Sequence, residues 1–434
     1  MLIAYRFKNF KSFKDGGSLS LLSHRADKTL PDCLLVPPVK AKLPSKILPA
    51  IAIYGANSAG KTNVLQALSY LHDAVLESHR LWKPGRGTKI SQFAGKDSYK
   101  TPAVIEVDFL IEETRYSYGV AASSSLFEEE WLMAYPNGKE VLVFSRRTQR
   151  GDAGKFITDI EYGPAFGEEG PFVPSVVRKT RENSLALSVA AQENHPVCRI
   201  VYDWFQDRIS SVNLPGPPER MHSMLTAQLL LEDEEMKKSV LSLMRVVEPG
   251  LIDILIKKND EPSYPEAMKG MLQEEALSIF ESSYGYSINF AVKSGKSRIL
   301  LPYEVQSKGF KKFFSMVARV LFGLRSGDVV IVDELETSIH PHLARMIVEL
   351  FQNKDVNKAG GQVVFTTHDT NLLDQSLLRR DQIWFVEKVH AKSKLYSLLE
   401  FAPRKDENLE RGYLRGRYGA IPALGLNLEE LHSH

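Results

Sequence analysis

The sequence predicts an α/β fold built around a phosphate-binding loop, with an antiparallel β-layer and an inserted helical region. Three observations predict it. An apolar strand from Leu48 to Tyr54 runs into the octet Gly55-Ala56-Asn57-Ser58-Ala59-Gly60-Lys61-Thr62, and apolar residues at helical spacing follow from Asn63 to Leu81. Late in the chain a second apolar strand, Val329-Val330-Ile331-Val332, ends in Asp333-Glu334. Between the two, strand patterns set in at Ala103 and give way to mostly helical patterns over 181–300.

In chain order, residues 2 to 8 alternate as a strand, Asp15-Gly16-Gly17 marks a turn, and an apolar stretch covers Leu19 to Leu22. The Pro- and Lys-rich segment up to Pro49 reads as loop. Strand patterns cover 104–109, 115–120 and 140–144, with Pro136-Asn137-Gly138 as a turn, and form the β-layer. Residues 150 to 175 are rich in Gly, Pro and charge. The stretch 181–300 reads as helices, Met221 to Val247 among them, with a polar break from Lys257 to Pro265. A helix from Phe310 to Leu324, the strand Asp328 to Asp333, a helix from about Pro341 and a strand from Gln362 to Thr367 complete the series. The two ends of the chain thus supply one α/β sheet, and the expected divisions are 1–180, 181–300 and 301–434. No long heptad run and no fixed-period repeat occurs, which excludes a long-armed coiled-coil architecture.

The formal net charge is +2 with 25% charged residues, so any nucleic-acid contact has to be local. Cys33 and Cys198 lack metal or redox spacing and read as inert buried thiols of a reduced compartment. Charge appears within the first six residues, and no apolar run reaches the ~18 residues that span a bilayer. A soluble, cytoplasmic protein without a membrane partner is expected.

The octet fits G-x-x-x-x-G-K-[ST] between strand and helix. Its glycines let backbone N–H groups curl around phosphates at a helix N-terminus, where peptide dipoles also favour negative charge. Lys61 is expected to reach the β- and γ-phosphates of ATP, and the Thr62 hydroxyl to ligate Mg²⁺. At the second strand end, Asp333 is expected to hold the metal's water shell and Glu334 to act as base or orienter for the attacking water.

After Asp333-Glu334 come Leu335-Glu336-Thr337-Ser338-Ile339-His340-Pro341 and, one strand later, Thr366-Thr367-His368-Asp369. This series resembles the Walker B, D-loop and switch histidine of ABC-type ATPase heads, which implies that His368 contacts the γ-phosphate. A zinc site at His340, His342 and His368 is disfavoured by the intervening Pro341 and the lack of a nearby Cys. Glu304-x-x-Ser307-x-Gly309 is similar to the degenerate ABC signature that opens a helix and caps the nucleotide of a second subunit; a simple N-capping Ser is the alternative, and the position just upstream of the acidic strand favours the signature. The resemblance implies that Ser307 and Gly309 act in trans and that the chain forms a homodimer or higher homo-oligomer through its ATP sites. Gln92 stands roughly where an ABC Q-loop glutamine approaches the metal.

The opening Arg6-Phe7-Lys8-Asn9-Phe10-Lys11-Ser12-Phe13-Lys14 resembles the first strand of RecF, SMC and OLD ATPases. The segment Glu410 to Pro422 is similar to that of the RloA and AbiL abortive-infection ATPases, and more distantly to AriA of the PARIS system. Its three Arg and two Tyr suit a structural or docking role, or a nucleic-acid contact. OLD proteins carry a Toprim nuclease domain after the ATPase, and the residues after His368 are too few for one. The resemblance therefore implies an ATP-hydrolysing switch or sensor subunit of a bacterial anti-phage defence system, controlling a Toprim or RloB-like effector on a separate chain. The alternative is a RecF-like, ATP-dependent DNA clamp, with Arg146-Arg147 and Lys308, Lys311 and Lys312 as local basic candidates. A membrane-transport ATPase subunit is the least favoured reading.

Overall fold

The computed structural model describes residues 1–151, 156–166, 172–212, 214, 219–259, 285–404 and 406–422. They form two compact units, Met1–Ile209 with Val364–His434, and Ser210–Val363. No described helix is long and apolar enough to cross a membrane.

In the first unit, β1 (Leu2–Lys8), β2 (Gly17–Ser20), β4 (Ala103–Ile111), β5 (Thr114–Ala122), β6 (Phe127–Tyr135), β7 (Val141–Arg150) and β8 (Phe156–Tyr162) form one antiparallel sheet in the order β2-β1-β4-β5-β6-β7-β8. The expected β-layer is therefore wider than its sequence pattern suggested. β8 falls in the stretch read only as Gly-, Pro- and charge-rich. Ile160 is its one buried residue, so its own apolar pattern is faint and its pairing with β7 makes it a strand.

The same unit holds β3 (Ala50–Gly55), buried throughout, and α1 (Lys61–Glu77), whose apolar stripe includes Val64, Leu68, Leu71 and Val75. β15 (Ile383–Val389) runs parallel beside β3, and β16 (Lys392–Ser397) returns antiparallel to β15. Both chain ends thus supply strands to one sheet, as expected. α2 (Phe172–Lys179), α3 (Ala186–Gln192) and α4 (Pro196–Arg208) belong to this unit as well. Ser188 on α3 donates to the Val75 carbonyl on α1 at 2.6 Å.

α3 is anchored by a buried charge pair. Glu130 accepts from the N–H groups of Ala186 at 2.7 Å and Leu187 at 2.9 Å, and from Tyr118 Oη. Arg146 Nη1 lies 3.3 Å from Glu130, both side chains are fully buried, and the guanidinium also donates to the carbonyls of Ser184 and Arg181. The carboxylate thus meets the positive end of the helix and the cation meets the turn before it.

The helical reading of 181–300 holds for α3, α4, α5 (Glu219–Glu232) and α6 (Glu234–Val247). Asp233 divides the expected 221–247 helix, capping α6 through the Met236 N–H. The same stretch also contains β9 (Ile209–Val212), and β10 (Leu251–Lys258), β11 (Tyr286–Ser294) and β12 (Ser297–Pro302) form a separate three-stranded antiparallel sheet in that order. Ile288, Phe290 and Val292 alternate inward on β11, and Gly295, at φ 60°, turns the chain into β12. From residue 260 the expected polar break lies outside the described residues.

The compact units thus part the chain at 209/210 and 363/364, not at 180/181 and 300/301. The Glu130–Arg146 network places α3 with the β-layer. In the second unit, α7 (Lys308–Ser326) packs Phe310 and Phe314 against Phe290 of β11. β13 (Val329–Val332) is wholly buried, α8 (Pro341–Gln352) follows it, and the unit boundary falls within β14 (Gln362–Thr366). α9 (Leu409–Leu414) closes the helices of the first unit.

Candidate functional site

In the first unit β3 delivers the chain into the octet. A Cβ at Gly55 would stand 2.3 Å from the Val386 carbonyl of β15, so the strand end admits only glycine there. Gly60 caps α1 at φ 110°, a left-handed conformation. Asn57 and Ser58 form the exposed part of the loop, while Ala59 and Lys61 are buried and Ala56 and Thr62 half-buried.

Lys61 Nζ donates to the carbonyls of Gly55 at 3.0 Å and Ala56 at 3.2 Å, and lies 2.8 Å from His368 Nε2. An ammonium can only donate, so Nε2 accepts and the His368 proton sits on Nδ1. His368 is placed by β14: the Thr367 N–H bonds the Ile53 carbonyl of β3, and the Asp369 N–H bonds Thr367 Oγ1. The structure thus brings the expected phosphate lysine and the expected switch histidine into contact at the amide end of α1, a region suited to anions.

Behind the loop lie residues to which sequence reasoning assigned no role at the site. Ser393 on β16 contacts both Ser12 Oγ, at 2.7 Å, and the Ala59 carbonyl, and Asn63 Nδ2 donates to Ser12 Oγ at 2.7 Å. Ser12 belongs to the Lys11-Ser12-Phe13 run; Ser393 carries no sequence signal.

In the second unit β13 leads into Asp333, which is 7% exposed, and the chain turns at Glu334 with φ 48° and an exposed side chain. Thr337 Oγ1 donates to Glu334 Oε2 at 2.9 Å and the Thr337 N–H to the Glu334 carbonyl, so this loop folds back on the acid that opens it. Ser307, exposed, caps α7 by accepting the Phe310 N–H at 3.2 Å. A Cβ on Gly309 would meet the Ser338 carbonyl at 2.5 Å, which brings the start of α7 against the loop that follows Glu334. His340 Nδ1 accepts the His342 N–H and caps α8.

Gln92 pairs with Phe10 through an isolated bridge, and its side-chain amide donates to the Thr101 carbonyl at 2.6 Å, tying down the 98–101 turn. Arg146 corrects one expectation: fully buried against Glu130, it cannot meet nucleic acid, and its neighbour Arg147 pairs with Glu129. Lys311 Nζ donates to the Glu304 carbonyl. In the C-terminal segment Tyr413 stacks on Phe385 and meets Tyr54 edge-on, and Tyr396 Oη donates to the Tyr418 carbonyl, so the tyrosines are structural anchors of β15 and β16. Both thiols are buried, and burial pushes Cys33 up to about 12 and Cys198 further.

Comparison with known proteins gives a family. The model of the family described as "AAA domain, putative AbiEii toxin, Type IV TA system" matches residues 50–374, three quarters of the chain. A comparison with curated proteins found no match. Among solved structures, the chain is similar to the Smc head domain with an extended coiled coil, bound to the C-terminal domain of ScpA, from Pyrococcus furiosus. That likeness has 12% identity and a TM-score of 0.40, and covers 92% of this chain and 97% of the other. The family match runs from the strand before the phosphate loop to the residues after His368, and the chain belongs to this AbiEii-type family of P-loop ATPase domains.

Proposed function

We propose that the chain is an ATP-binding and ATP-hydrolysing switch subunit of a bacterial anti-phage, abortive-infection system, acting on an effector carried by a separate polypeptide. The observation that carries the nucleotide reading is the 2.8 Å contact of Lys61 Nζ with His368 Nε2 beside the amide end of α1. A cation that neutralises phosphate and an imidazole that reads the γ-phosphate converge there. Mg²⁺, when bound, supplies charge neutralisation on the phosphates. The Thr62 hydroxyl and the Asp333 carboxylate are hard oxygen donors of the kind it takes. Glu334 is the proposed orienter of the attacking water.

Ser307 and Gly309 are proposed to serve the nucleotide of a second copy, a reading supported by the exposure of Ser307 at the start of α7. The defence role is supported by the family's description, which names the AbiEii toxin and a type IV TA system, and by the likeness of Glu410 to Pro422 to the RloA and AbiL ATPases. The proposed effector is a Toprim or RloB-like nuclease. The alternative DNA clamp loses one of its basic candidates with the burial of Arg146.

The test is the solution mass of the wild type and of Glu334→Gln, with and without Mg·ATP. Blocked hydrolysis is expected to trap a nucleotide-dependent dimer or larger assembly in the variant. A monomer under saturating ATP would remove the composite site.

A further inference from the structure

The phosphate loop is braced from behind by a relay of hydrogen-bonded side chains. Ser393 is 5% exposed, and its Oγ touches the Ala59 carbonyl and Ser12 Oγ. Asn63 Nδ2 donates to Ser12 Oγ, and the Ser393 N–H donates to the Ser12 carbonyl at 2.8 Å. A hydroxyl has one proton, and the carbonyl can only accept. Ser393 Oγ is thus the donor toward both the Ala59 carbonyl and Ser12 Oγ and shares its one proton between them, while Ser12 Oγ also accepts the Asn63 amide proton.

The relay lies directly against Gly60, where a Cβ would stand 2.6 Å from Ser393 Oγ and 2.7 Å from Ser12 Oγ. Carbonyl and N–H of a trans peptide point in opposite directions. Holding the Ala59 carbonyl on the side of β16 thus turns the Gly60 N–H away from β16.

We propose that Ser393, with Ser12 behind it, is a positioning residue for nucleotide binding: it pins the Ala59–Gly60 peptide so that the Gly60 N–H is already aimed at the phosphates. The inference rests on the reading of Gly55 to Thr62 as the nucleotide loop. Without the relay the peptide plane is free to rotate, and nucleotide binding has to order it first.

The experiment measures the affinity of the full chain for a fluorescent, non-hydrolysable ATP analogue with Mg²⁺, together with steady-state ATPase kinetics and nucleotide-free melting. The variants are Ser393→Ala, Ser12→Ala, their double and Lys61→Ala. Ser393→Ala is expected to weaken binding about tenfold and to raise KM more than it lowers kcat. Ser12→Ala should move the same way by less, because Ser12 helps to hold the Ser393 side chain in place, and the double should be no weaker than Ser393→Ala alone. Should Ser393→Ala not fold, Ser12→Ala alone decides. Affinities within twofold of wild type, with or without a lower melting temperature, overturn the positioning role while Lys61→Ala still loses binding. If Lys61→Ala binds as wild type does, the loop reading itself fails and the inference goes with it.

Discussion

At the scale of single residues, close approach explains more than residue type. Gly309 looks like an ordinary helix-start glycine until the Ser338 carbonyl is placed 2.5 Å from where its Cβ would be. Gly309→Ala is expected to cost about 1–3 kcal/mol through the forced shift, measured by urea denaturation. It should also suppress the ATP-dependent assembly of Glu334→Gln while the single chain still binds nucleotide. Retained assembly would argue against a role for the start of α7 in trans. Glu334 shows the complementary case: a non-glycine residue at φ 48°, held by the return of Thr337 onto its carbonyl and carboxylate. Such strain persists where the surroundings over-determine it.

At the scale of elements, α3 shows how a charge becomes architecture. Removing one partner of a buried pair leaves the other uncompensated and costs about 3–5 kcal/mol, whereas an exposed pair contributes about 0–1 kcal/mol. Arg146→Met is therefore expected to lower stability by the larger amount and Arg147→Ala by the smaller, although the two arginines are adjacent in sequence. Chemical denaturation of both variants checks this, and equal losses would contradict the assignment. In the C-terminal segment the aromatic rings, not the arginines, fix α9 against β15: Tyr413 and Tyr418 stack on Phe385 while Arg411 and Arg415 remain exposed.

At the scale of the whole molecule, residues far apart in the chain are joined by charge. Arg379 donates to the carbonyls of Asp27 and Thr29 and pairs with Asp381, and Asp381 accepts the His24 N–H at 2.8 Å. Burial by itself would raise the pKa of Asp27, but hydrogen bonds from Arg380 and Thr29 outweigh it and hold it at about 2. A depressed carboxylate stabilises above its unfolded pKa and loses that contribution as pH falls through the folded value. Asp27 is expected to contribute about 2 kcal/mol near neutrality, lost between about pH 4 and pH 2. Denaturation of wild type and Asp27→Asn across that range should show the stability gap closing; a constant gap would refute the assignment.

The sequence by itself determined the parts whose physics is local. The phosphate octet sits between a buried strand and a helix, the acidic pair ends another buried strand, and Ser307 opens a helix. Each needs only neighbouring residues to be recognised. The tertiary structure decided the rest. It buried Arg146, which adjacent charge suggested was a surface group, and made β8 a strand through its partner. It divided 181–300 between two units and set Ser393 behind the loop it braces. Those outcomes depend on cross-strand register and on contacts between residues hundreds of positions apart, which no local pattern encodes.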